Sequence, residues 1–154
     1  MRNSKNIRRK GFTLVELLIV IVVIGILSAM MMLSSTEATT SAKAAAIVSN
    51  LRNLKTAALA YYADHPSDAT PSSSADVVKY LKDGSTELEA GYDFSFTDAA
   101  WYALYEIQGT TAEKTAIQTK LQNRAKQVGL CKGGTTPSSA DYDGSDQFVG
   151  MFIR

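Results

Sequence analysis

From Phe12 to Leu33 the chain reads FTLVELLIVIVVIGILSAMMML, apolar on every side, with Glu16 its one ionisable residue. As a helix rising about 1.5 Å per residue, this run covers roughly 33 Å, enough to cross a hydrocarbon core of about 30 Å. Past a polar stretch at residues 34–41 the pattern changes. Ala44, Ile47, Leu51, Leu54, Ala58 and Tyr61 recur at steps of 3, 4, 3, 4 and 3, which is one face of a helix. Asn50, Arg52, Asn53 and Lys55 fall off that face. The first proline is Pro66, so the pattern predicts one helix over about 12–65, apolar all round and then amphipathic. Two heptads are too few to favour a plain coiled coil, so the second half is expected to lay its stripe under the rest of the chain.

The remainder alternates shorter signals. PSDATPSSSA (66–75) is turn-rich and leads into Ser73-Ser74-Ala75-Asp76, an S-x-x-D helix start, with Val77, Val78 and Leu81 in a short helix ending before Gly84. Tyr92, Phe94 and Phe96 alternate as a short strand, and Ala100 to Ile107 (AWYALYEI) reads as a second. Ala112, Ala116, Ile117, Leu121, Ala125 and Val128 line one side of a helix over 112–128 that Gly129 stops. Residues 133–146 read as a loop, and QFVGMFI (147–153) as a closing strand. The aromatic strand residues are the natural cover for the helical stripe, not a platform for stacking a ligand.

Charge divides the chain in the same place as hydropathy. The 154 residues have room for one domain of ordinary size. Their net charge of +1 lacks the basic excess of a general nucleic-acid binder. Residues 1–11 hold five basic side chains and no acidic one, so the rest has 11 basic against 15 acidic residues, a net −4. A basic cluster just before an apolar span predicts that the N-terminus stays in the cytoplasm and the rest is exported. A discarded secretory signal would be shorter in its apolar part and end in small residues, whereas this run ends Met30-Met31-Met32-Leu33.

Glu16 is what an ordinary membrane anchor does not explain. A carboxylate in lipid costs a few kcal/mol unless it snorkels or is paired, and intramembrane acids usually mark function. The stretch Lys10-Gly11-Phe12-Thr13-Leu14-Val15-Glu16 before a long apolar run resembles the N-terminal signature of type IV prepilins and of the pseudopilins of type II secretion. The resemblance covers about the first 55 residues. It implies a prepilin peptidase that cuts between Gly11 and Phe12 and methylates the new Phe12 amine, making residues 1–11 a leader. It also implies that Glu16 pairs with that amine on a neighbouring subunit during assembly. The implied fold is α+β and pilin-like: a long N-terminal helix over 12–65 (12–33 transmembrane and filament core), with a small antiparallel sheet of an exported head, 66–154, on its distal half. Many relatives place a proline near position 33, where this chain has Leu33, and many close a C-terminal loop with a disulfide.

Cys131 is the one cysteine, so no intrachain disulfide is available, and His65 is the one histidine, so no multi-histidine metal site can exist in one chain. Cys131 is expected to be a small buried residue. Asp141, Asp143 and Asp146 are calcium candidates, but Gly144 is misplaced for an EF-hand and no glutamate follows at the twelfth position, so a solvated turn is the favoured reading and no cofactor is expected. No Ser/His/Asp spacing, H-E-x-x-H, P-loop or G-x-G-x-x-G points to an enzyme. The expected function is a structural subunit polymerised into a type IV pilus. Its implied partners are the peptidase, identical or related subunits, membrane lipid before assembly, and an inner-membrane platform with an ATPase motor. Its expected locations are the inner membrane and then a surface or periplasmic filament. The alternatives are a pseudopilin of a secretion or DNA-uptake machine, and a membrane-anchored binding domain that never polymerises.

Overall fold

The computed structural model describes residues 11–66, 70–81, 87–96, 100–134 and 137–154, with backbone alone at 33–35. Helix α1 spans Leu14–Asp64, α2 Ser74–Val78 and α3 Thr111–Val128, and the strands are β1 Tyr92–Phe96, β2 Trp101–Glu106, β3 Leu130–Lys132, β4 Ser138–Asp141 and β5 Phe148–Phe152. Contacts divide the chain into two compact units, residues 1–38 and 39–154.

In the first unit α1 is a regular helix through Gly25, around which there is open space. Its apolar side chains from Leu14 to Met32 are exposed on all sides. The 18-residue window that makes α1 a candidate membrane span has a mean hydropathy of 2.8 and no residue buried within the chain.

The second unit has its own core. All six stripe residues read from the sequence are buried, together with Val48 and Ala57 from the same helix. They share a core with Ile117, Leu121 and Ala125 of α3, and with Phe94, Trp101, Ala103, Leu130, Val149 and Met151 of the sheet. Strand periodicity sorts the aromatic run. Trp101 and Ala103 join the main core, whereas Tyr102 and Leu104 form a second cluster with Cys131. On α3, Ala112 is exposed, contrary to the expected face. It sits in the first turn beyond the reach of the core, and Ile117 is the first fully buried position.

The sheet is antiparallel with order β1-β2-β5-β3-β4. One strand, β4, lies wholly in what the sequence presents as a loop, and another, β3, in the stretch before it to which the sequence assigns no element. Gly129 ends α3 in the left-handed conformation (φ 71°), turning the chain directly into β3, which fills the place beside β5. β4 is an edge strand, SSAD, exposed at every position, so it has no hydrophobic alternation to read. Its main-chain bonding to β3 is what makes it a strand.

Local chemistry explains the helix starts. Thr110 caps α3 in a reciprocal box with Glu113, and the Glu113 carboxylate also takes Lys43 of α1 at 3.2 Å. These hydrogen bonds, with the Lys43 charge, hold the Glu113 carboxyl below the usual carboxylate range. Ser73 caps α2 by accepting from the Ala75 N–H, but Asp76 turns to Lys79 instead of closing the box. α2 ends at Val78, and Leu81 lies beyond it; the expected stop at Gly84 falls outside the described residues.

Candidate functional site

Gly11, Phe12 and Thr13 precede the helix, and Phe12 is 87% exposed, so the peptide between Gly11 and Phe12 lies outside helical structure. The rest of the expected leader, residues 1–10, lies outside the described residues. Thr13 begins α1. Its N–H donates to Glu16 Oε2 at 2.8 Å and its hydroxyl to the same oxygen at 2.7 Å, while the Glu16 N–H donates back to the Thr13 hydroxyl oxygen at 3.2 Å. This is a capping box: the carboxylate at the third helical position satisfies donors that the helix start leaves without partners. Glu16 is therefore held one residue away from the nitrogen that a cut after Gly11 would turn into an amine.

Thr13 is the residue that the sequence reading passed over. Its signal was present: Thr13-Leu14-Val15-Glu16 has the same S/T-x-x-acid form as Ser73 to Asp76.

The other singled-out residues are dispersed. The Asp143 carboxylate is taken by the Lys132 ammonium and by the Ser145 N–H and hydroxyl, which hold it well below its ordinary range. Asp141 sits at the end of β4 opposite Cys131. Asp146 contributes its main-chain oxygen, which accepts from the Tyr142 hydroxyl at 2.8 Å and Gln118 Nε2 at 3.0 Å. Among the described residues no three His, Cys, Asp or Glu side chains are grouped to hold a metal ion. The loop that a disulfide could not close is instead pinned by the Lys132–Asp143 pair and by Tyr142, almost fully buried in the core. Cys131 is buried in β3, and burial pushes its thiol up to about 11.

Along the described chain, the one place where an ionisable side chain stands in an uncovered apolar helix is thus the start of α1. The family model for the prokaryotic N-terminal methylation motif matches residues 6–32, which contain Gly11, Phe12, Thr13 and Glu16. No curated protein and no solved structure matches the chain. Residues 6–32 carry the type IV prepilin and pseudopilin signature, and the long N-terminal helix with a small antiparallel five-stranded sheet is an α+β, pilin-like layout.

Proposed function

We propose that this chain is a prepilin, cut by prepilin peptidase between Gly11 and Phe12, methylated on Phe12, and polymerised into a type IV pilus. The observation that carries the reading is Glu16, a carboxylate at the head of a helix whose apolar residues from Leu14 to Met32 find no cover within their own chain. Before assembly the lipid bilayer covers that surface. After assembly, neighbouring copies of the helix do.

Removing residues 1–11 takes away five positive charges that anchor the helix at the cytoplasmic face and leaves an ammonium beside lipid. An ammonium and a carboxylate in an apolar bundle each cost several kcal/mol alone, and pairing across two staggered copies lowers both costs together. The wrong stagger strands a charge, so the pair selects register. Hydrophobicity cannot drive the transfer, because the area is already out of water in the bilayer. An external motor must supply that work, which suits the ATPase-driven platform of the resembled systems.

The test is the N-terminal sequence and mass of the chain in sheared surface fibres. The expected result is methylated Phe12 as first residue. Fibres that retain residues 1–11, or that lack this polypeptide, overturn the proposal. Short periplasmic fibres would assign the chain to a secretion or uptake machine. Uncut monomers in the membrane would make it an anchored binding domain.

A further inference from the structure

Arg52 of α1 and Arg124 of α3 line one open cavity of about 330 Å³, over Val48 and Val128 and beside Ser49 and Asn53. Both arginines are exposed, and neither side chain has a hydrogen bond, ion pair or ring contact among the described residues. Several other cations of this unit are engaged: Lys43 with Glu113, Lys132 with Asp143, Lys55 with the Phe152 carbonyl, and Arg154 over the Tyr62 and Trp101 rings. Two uncompensated guanidiniums around one cavity repel each other, and an arriving anion relieves both. The planar fork of arginine fits a carboxylate in two parallel hydrogen bonds.

We propose that this cavity is a contact between copies of the chain, in which Arg52 and Arg124 receive a carboxylate of a second copy. The inference rests on the filament reading above and adds to it a contact between heads. Charge decides the occupant. Beyond residue 11 the chain is net −4, so a second copy carries a surplus of carboxylates for the arginine pair to take. The same surface offers carboxylates: Glu87 and Asp141 are exposed and have no partner among the described residues. A single exposed pair contributes little between free proteins. Between heads whose helices are already packed side by side, the contact is intramolecular in effect and is populated at an effective concentration in the millimolar range.

Cells making the full-length chain test this by the ratio of sheared fibre to membrane-held subunit. With Arg52→Glu and Arg124→Glu together, the subunit remains cleaved and its head remains resistant to protease. Fibre falls at least about tenfold, as expected when charges that should attract are made to repel. Arg52→Gln with Arg124→Gln gives a smaller loss. Adding Glu87→Arg or Asp141→Arg to the reversed pair restores fibre in one of the two cases. Fibre at the normal level in the reversed pair overturns the inference, and so does a loss that neither acid reversal relieves. Fibre at the normal level with altered retention on DNA or anionic vesicles also overturns it. Absence of fibre from cells making the unaltered chain would instead sink the filament reading itself.

Discussion

One helix serves two environments. Leu51, in its distal part, is completely buried within its own chain, whereas Leu18, in its proximal part, is 52% exposed although it is the same residue in the same conformation. The distal part alternates apolar and polar positions and meets a sheet and a second helix made by the same polypeptide. The proximal part is apolar all round and meets none. A stripe specifies one partner on one side. A uniformly apolar surface specifies only that water be absent, and so leaves its partner to be lipid or other copies of itself. Within that surface Glu16 is the one ionisable group, and its charge can distinguish one packing from another.

Paired substitutions sharpen this contrast most. Leu51→Ala is expected to lower the stability of the folded 39–154 unit by about 2–5 kcal/mol, the usual cost of a cavity in a close-packed core. Leu18→Ala is expected to leave that melting transition unchanged, as followed by circular dichroism in detergent. Equal shifts for both would mean that the two parts share one core. Glu16→Leu is expected to be cleaved normally and to melt like the unaltered chain, while surface fibre falls about tenfold, equivalent to about 1.4 kcal/mol in assembly. Normal fibre from that variant would remove the reason for placing register at Glu16.

Smaller effects probe the caps. Thr13→Ala removes the two hydrogen bonds of the Thr13 hydroxyl and is expected to cost the start of α1 about 1 kcal/mol. Faster amide exchange confined to the first turn reads that loss, and unchanged protection would show that the cap contributes nothing in detergent. Glu113 makes the corresponding test in the head. Because its folded pKa is depressed, its contribution is present above the ordinary glutamate range of the unfolded chain and is lost as pH falls through the folded value. Glu113→Gln is therefore expected to lower the melting temperature at pH 7, with the difference shrinking as the solution is acidified below the ordinary carboxylate range. A difference independent of pH would show that the Lys43 pair and the Thr110 cap are not what Glu113 contributes.

The sequence alone determined the helix from about 12 to 65, because hydrophobic period and the absence of proline are local facts about consecutive residues. It also determined the buried stripe, the β1, β2 and β5 segments, the stop at Gly129, and the unusual standing of Glu16 among apolar neighbours. Tertiary structure decided the rest. β4 is a strand because β3 offers it hydrogen bonds, and nothing in Ser138-Ser139-Ala140-Asp141 alternates to announce it. Asp143 became the partner of Lys132 because β3 and the following loop bring the two together. The partition of Trp101 from Tyr102, adjacent in sequence and buried in different clusters, awaited the placement of a helix on one side of the sheet. Periodicity can say that a face is apolar, but only long-range packing says what covers it, since the covering residues lie tens of positions away and are chosen by geometry.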